Sequence, residues 1–335
     1  MAAARIAVLG AGSTGCFIGG CWLAVGLPVS FVGRPRIKAE IDANGLTVSD
    51  FSGAETHFSK VDYRTDPAAL ADADIILLCV KSGATEEAAR DIAAHARDGT
   101  LVVSFQNGIR NFDLLEKLLS DRFEVVRGLV SYNVAYLGEG RFHKGVAGVL
   151  WAEDLPRLRE LCAKIGPGPA ELRLSDDMLG LAWGKLLINL NNAVNALSGR
   201  TLLEELKERD YRRVVAASQR EGLKLLAAGD IRPAKVGAVG PKALPWIIGS
   251  PDWAFRNVFL KKWKIDAKAR SSMADDLAAG RRTEVAYLNG ELVALSDRVG
   301  RPAPINRKIV DLIRAAENGA PPLSPGALRK AVLAP

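Results

Sequence analysis

The sequence predicts an α/β fold: a doubly wound parallel sheet in an amino-terminal domain, followed by an all-helical carboxy-terminal domain. Three observations carry that expectation. Short runs rich in Val, Ile and Leu alternate with helical stretches through the first half of the chain. A glycine-rich turn follows the first of these runs. From about Asp176 the strand-like runs stop and helical periodicity takes over.

In chain order, "RIAVLG", "VSFVGR", "DIILLCVK" and "TLVVSFQN" read as buried strands. Between them lie stretches such as "ATEEAARDIAAHARDG", with alanines and charges at helical spacing. "VVRGLVSYNVAYLGEGRFHKGVAGVLWAE" mixes glycines with β-formers and reads as extended pieces and hairpins that close the first domain. Beyond it come "DDMLGLAWGKLLINLNNAVNALSG", "YRRVVAASQREGLKLLAAG" and "TEVAYLNGELVALSDRVG", each read as a helix. In the last, Val285, Leu288, Leu292, Leu295 and Val299 keep one apolar face. "GAVGPKALPWIIGSPDW" reads as a Gly/Pro-rich, mobile connection, and "APPLSPGALRKAVLAP" as a loosely held tail, with a short docked helix as the alternative. At 335 residues the chain exceeds what one core normally holds. The expected division is a nucleotide-binding domain over 1–175, a helical substrate and catalytic domain over 176–320, and a tail over 321–335.

Composition excludes several classes. Lys and Arg outnumber Asp and Glu by 45 to 38, a net charge of +7 that favours an anionic partner. The basic residues are scattered apart from pairs such as Lys261-Lys262 and Arg281-Arg282, so a nucleic-acid stripe is not expected. Cys16, Cys21, Cys79 and Cys162 have neither metal nor disulfide spacing, and His57, His95 and His143 are far apart, so no metal site is expected. The amino terminus runs straight into the first strand without a signal-peptide pattern, and no apolar run is long enough for a bilayer. The expectation is a cytoplasmic protein with a small anionic ligand and no membrane partner.

Gly10, Gly12 and Gly15 form G-x-G-x-x-G between a strand and a helix. The first allows a tight turn, the second lets backbone approach a pyrophosphate, and the third lets helix and strand pack closely. With Ser13 and Thr14 they form the expected cofactor loop at a helix amino terminus, whose N–H groups face anionic phosphate. This is a Rossmann-type signature. An NAD site usually ends its second strand on Asp or Glu for the ribose 2′-hydroxyl. Here the residue is Arg34, with Arg36 and Lys38 behind it, and a guanidinium suits a 2′-phosphate. The predicted cofactor is therefore NADPH/NADP+.

"WGKLLINLNNAVNALSG" carries Lys185, Asn189 and Asn192 at i, i+4 and i+7, one face of a helix that is otherwise apolar. That face either meets water or lines a cleft, and the apolar surroundings favour a cleft. In "ARSSMADDLAAGRRTEVAYLNG" the residue types alone read structurally: Ser271, Ser272 and Thr283 as caps, Glu284 in an exposed first turn.

The glycine motif, "CVKS", "QNG" at Gln106 to Gly108, "WGKLLIN" and "RSSMADDLAAGRRTEVAYLNG" occur in this order. Together they resemble the ketopantoate reductase (2-dehydropantoate 2-reductase) family, from about Arg5 to about Glu317. The resemblance implies an NADPH enzyme with a Rossmann domain, a helical domain and a cleft between them. It would reduce 2-dehydropantoate to pantoate on the way to pantothenate and coenzyme A. It implies Lys185 as general acid and Glu284 as the acid that orients substrate. Ser272 would lie near the substrate carboxylate, Asn189 on the substrate, and Asn107 between nicotinamide and carbonyl. Lys81 would flank the cofactor, and Arg34 would read the 2′-phosphate. Asn192 joins the substrate-binding candidates from the polar row.

Two positions depart from the family pattern. Ala193 stands where an asparagine is expected eight residues after the lysine, with Asn192 and Asn195 nearby at different helical angles. Ala269 replaces an asparagine before the R-S-S triplet. Both bear on which 2-oxo acid is taken. A related dehydrogenase acting on another oxo or hydroxy acid, and a non-catalytic NADP(H) sensor, remain as alternatives, with a second copy of the chain as a candidate partner.

Overall fold

The computed structural model describes residues 4–261, 265–266 and 269–334; Lys262 of the basic pair lies outside them. Eight strands form the main sheet of the first half. In chain order they are β1 (Ile6–Leu9), β2 (Val29–Val32), β5 (Asp62–Arg64), β6 (Ile75–Leu78), β7 (Leu101–Ser104), β8 (Glu124–Val130), β11 (Leu150–Glu153) and β12 (Leu172–Ser175). The spatial order is β12-β11-β8-β7-β6-β1-β2-β5, parallel throughout except where β11 meets β8. The apolar runs are continuous because both faces of the sheet are covered. Ile6 and Val8 enter one core while Ala7 and Leu9 enter the other, and Ile75/Leu77 and Ile76/Leu78 divide in the same way. The four strands read from sequence are β1, β2, β6 and β7.

The segment after the second helix had no strand reading. It supplies β3 (Leu46–Asp50), β4 (Glu55–Phe58) and the edge strand β5. β3 and β4 join β9 (Val134–Gly138) and β10 (Arg141–Lys144) in a separate four-stranded sheet, order β4-β3-β10-β9. The hairpins expected before residue 153 are thus present, but β9 and β10 build this second sheet rather than extend the first.

β1 lies between β2 and β6, and the chain leaves it in one direction and returns on the other side. This is the switch point of a doubly wound sheet, where the carboxyl ends of strands leave a crevice. Helix α1 (Ser13–Ala24) starts there, and α2 (Pro35–Asn44) follows β2.

The chain forms two compact units, 1–178 and 179–335. The second is helical. One long helix is expected over 176–199; the structure has α6 (Met178–Asn189) and α7 (Asn191–Ser198), interrupted at Leu190. The helix expected from residue 283 is a 3-10 turn, Val285–Tyr287, followed by the helix Asn289–Val299. The apolar stripe survives this break: Val285, Leu288, Leu292 and Leu295 are buried.

The Gly/Pro-rich connection also differs from expectation. It contains the short helix Leu244–Ile248, whose Leu244, Pro245 and Ile248 are buried. Fully buried Arg212 donates to the carbonyls of Ile248 and Ser250, both at 2.8 Å, and pairs with Asp252. The tail takes the docked alternative. Pro325–Leu333 is a helix capped by Ser324, with Leu328 and Val332 buried in the helical core, and the Tyr211 hydroxyl donates to Leu323 O at 2.6 Å. Among the described residues, no helix is long and apolar enough to cross a membrane.

Candidate active site

Each glycine of the loop has its own geometric reason. Gly10 has φ +88°, and a Cβ there would fall 2.5 Å from Val80 N, so turn and packing both demand glycine. A Cβ on Gly15 would sit 2.7 Å from Val8 Cγ1, so this glycine lets α1 lie against β1. Gly12 differs: a Cβ there would meet nothing closer than Gly10 O at 4.0 Å. The protein leaves that space open, as a site of close phosphate approach requires. Gly12 is also the amino-terminal cap of α1, with no capping side chain and no acid in the first turn. The N–H groups of Ser13 and Thr14 therefore lie where an anion is favoured. The loop fits a dinucleotide pyrophosphate.

Arg34 is the exposed residue that precedes α2. Its neighbours are engaged elsewhere: Arg36 pairs with Glu40 at 2.7 Å and Lys38 with Asp42 at 2.5 Å. Both acids lie in α2 itself. They neutralise Arg36 and Lys38 and do not pair with Arg34.

The "CVKS" and "QNG" stretches lie at the carboxyl ends of β6 and β7 and are joined by a polar web. Gln106 Nε2 donates to Val80 O (3.1 Å) and Thr85 Oγ1 (2.8 Å). Asn111 Nδ2 donates to Ser82 Oγ (2.8 Å) and Asn107 O (2.5 Å). Asn107 is thereby held at a fixed backbone position beside Ser82 and half-buried, while Lys81 is exposed one residue before Ser82. Ser82, Thr85 and Asn111 are buried, and sequence reasoning did not single them out. Their only signal is being polar beside two motif stretches.

In the helical unit, Lys185, Asn189 and Asn192 are all partly buried, neither fully solvated nor sealed in the core. Gly184 lets other backbone reach α6, since a Cβ there would overlap the Ala234 carbonyl, and Ala234 N–H donates to Gly180 O at 2.8 Å. Desolvation draws the Lys185 ammonium down to about 8, and the Glu284 carboxylate opposes this by raising it. The two residues, distant in sequence, are thus brought into electrostatic reach. Glu284 is the cap of the 3-10 turn rather than part of a helical first turn.

Ser271 and Ser272 separate cleanly. Ser271 is buried and spends its hydroxyl as a cap, accepting from Ala274 N–H at 3.1 Å and donating to Asn192 O at 3.0 Å. Ser272, the next residue, is exposed. Asn195 is fully buried; its Oδ1 accepts from Ser271 N–H (2.9 Å) and its Nδ2 donates to Arg200 O (3.1 Å). It braces the serine turn and offers nothing to a ligand. Ala193 is likewise buried in the helical core.

Glu317 is a further residue that sequence did not single out. Its Oε1 accepts from Thr283 N–H (2.8 Å) and Thr283 Oγ1 (2.7 Å), and Arg282 lies 3.3 Å from its other oxygen. It therefore fixes the backbone immediately before Glu284.

A dinucleotide cradle at the switch point of a parallel sheet is the arrangement of a nucleotide-dependent oxidoreductase. The chain belongs to the ketopantoate reductase family: the family model "Ketopantoate reductase PanE/ApbA" matches residues 6–157, and its carboxy-terminal counterpart matches 177–317. It is accordingly an NADP-dependent oxidoreductase of the 2-dehydropantoate 2-reductase type. It is 27% identical over 324 residues to the 2-dehydropantoate 2-reductase of Archaeoglobus fulgidus, covering 94% of this chain and 98% of that one. It is 28% identical to that of Halobacterium salinarum, covering 93% and 99%. Among solved structures, a PanE/ApbA family ketopantoate reductase from Ralstonia eutropha superposes with a TM-score of 0.79 at 28% identity, covering 94% and 98%.

Proposed function

We propose that the protein reduces 2-dehydropantoate to (R)-pantoate with NADPH, a step towards pantothenate and coenzyme A. The observation that carries this reading is Lys185, a partly buried cation on an apolar helix, whose ammonium desolvation draws down to about 8 while Glu284 raises it. NADPH, when bound, supplies hydride to the carbonyl carbon. Reduction of a 2-oxo acid turns the carbonyl oxygen into an alkoxide, and a positioned acid must meet that charge. Lys185 Nζ carries the proton and a compensating field. Glu284 keeps a large share of Lys185 protonated at neutral pH. Asn189, Asn192 and exposed Ser272 offer polar contacts to the substrate, and Asn107 serves substrate and nicotinamide. The loop of Gly10, Gly12, Ser13, Thr14 and Gly15 holds the pyrophosphate, with Arg34 and Lys81 on the remaining phosphate charge.

The substrate reading has one competitor with an observation behind it. Ala193 is sealed in the core and Asn195 is spent on Ser271 and Arg200, so neither restores the asparagine missing from the family pattern. A pocket with fewer polar groups suits a 2-oxo acid lacking the hydroxyl of 2-dehydropantoate. The test is NADPH consumption with 2-dehydropantoate beside unhydroxylated branched 2-oxo acids. A kcat/KM highest for 2-dehydropantoate supports the first reading, and a preference for an unhydroxylated acid replaces it with the second.

A further inference from the structure

The edge strand β5 holds one side chain that neither the sequence motifs nor the proposed chemistry uses. Tyr63 is 3% exposed, and its ring stacks on Phe31 of β2 at 6.1 Å between centroids. Its hydroxyl donates to Ala11 O at 2.6 Å, in the residue between Gly10 and Gly12. The backbone N–H of Arg34 also faces this oxygen. A Cβ on Gly33 would overlap this hydroxyl, so Gly33 is bare because Tyr63 crosses it. Val32 O already accepts from Gly10 N–H (2.9 Å) and Ala11 N–H (3.0 Å). The end of β2 and the glycine loop are therefore tied by two backbone bonds and one buried phenol.

That tie joins two places that one cofactor molecule must touch together. The pyrophosphate and the 2′-phosphate of NADPH are linked through a single adenosine, which fixes their separation. The protein must hold the loop and Arg34 at the matching spacing before binding, or lose affinity in ordering them. NADH lacks the 2′-phosphate and needs only the loop.

We propose that Tyr63 is a specificity-determining positioning residue: its hydroxyl locks the pyrophosphate loop to the backbone of Arg34 and so favours NADPH over NADH. The proposal rests on Arg34 as the 2′-phosphate contact. It acts through the Ala11 carbonyl and the Arg34 N–H and touches no reacting atom.

The test is equilibrium binding of NADPH and of NADH, followed by nucleotide fluorescence, with thermal unfolding measured alongside. Tyr63→Phe keeps the ring and its packing and removes the tie. Its Kd for NADPH is expected to rise about tenfold and that for NADH about twofold or less. Gly33→Ala, which drives a methyl into the same hydroxyl, is expected to narrow the ratio in the same direction. In an Arg34→Ala background, Tyr63→Phe should weaken both nucleotides equally. Equal weakening of NADPH and NADH by Tyr63→Phe alone, or none, overturns the proposal and leaves Tyr63 a packing residue. Arg34→Ala with an intact NADPH preference overturns the reading of Arg34, and the proposal with it.

Discussion

An ammonium with a pKa near 8 can part with its proton at neutral pH; one at the usual lysine value parts with it far less readily. Lys185 reaches about 8 through desolvation, with Glu284 working the other way. The sign of the pH dependence follows. With Lys185 as the proposed proton donor, reduction uses the charged form, so its kcat should be flat below about pH 7 and fall as pH rises through about 8. The reverse oxidation needs the neutral form and should rise over the same range. Glu284→Gln removes the charge that raises Lys185, so the falling limb should move to lower pH; pH–rate profiles of both proteins check this. The glycines give a second contrast. Gly12→Ala meets nothing within the protein and should leave Tm unchanged while weakening NADPH binding tenfold or more, on the order of 1.4 kcal/mol. Gly10→Ala strains both a positive φ and the contact with Val80, and should lower Tm; calorimetry and nucleotide titration together separate the two.

At the scale of elements, β1, β2, β6 and β7 were legible because both faces of each are buried, so each reads as a nearly continuous apolar run. β4 and β5 were not, because they are short and partly exposed: β4 alternates exposed and half-buried residues, and β5 buries only Tyr63. β3 is mostly buried, but Thr47, Ser49 and Asp50 break its apolar run. The break at Leu190 and the 3-10 turn at Val285 were invisible to a helical period that survives across both. The turn matters because Glu284 sits on it, braced by Thr283 and Glu317. Glu317→Ala frees that backbone and should raise KM for the oxo acid several-fold, by about 1 kcal/mol in kcat/KM. Glu317→Gln keeps an acceptor for Thr283 and should stay near the native value; steady-state kinetics of the pair check it. Helix α8 (Leu202–Lys207) carries a separate device. Glu205 is fully buried, and burial pushes its carboxyl up to about 8, against the hydrogen bonds from Asn191 and Asn195. The folded state holds a proton there that the unfolded chain releases above its ordinary carboxylate range. Stability from this group is therefore complete at low pH and declines as pH rises towards about 8. Glu205→Gln should raise Tm at pH 8 and change it by only about one degree at pH 5.

For the whole molecule, the order of strand and helix patterns revealed an α/β half followed by a helical half, because the two use different periods of side-chain burial. The glycine loop was legible from spacing, since a positive φ, a close helix–strand contact and an open helix start impose their residue types locally on the chain. Lys185 stood out as a cation on an apolar helix. Glu284 and Ser272 did not stand out from their own surroundings. The fold sets Glu284 within electrostatic reach of Lys185, and only the family likeness pointed to either residue beforehand. Tyr63 and Glu317 went unnoticed for a similar reason, since each bonds to groups far away in sequence. The most direct measurement is NADPH consumption with 2-dehydropantoate by the native protein and by Lys185→Ala, with NADPH affinity determined for both. A native rate reduced about a hundredfold or more in the variant, at unchanged NADPH affinity, is the expected result. A variant that turns over at the native rate would contradict Lys185 as the proton donor.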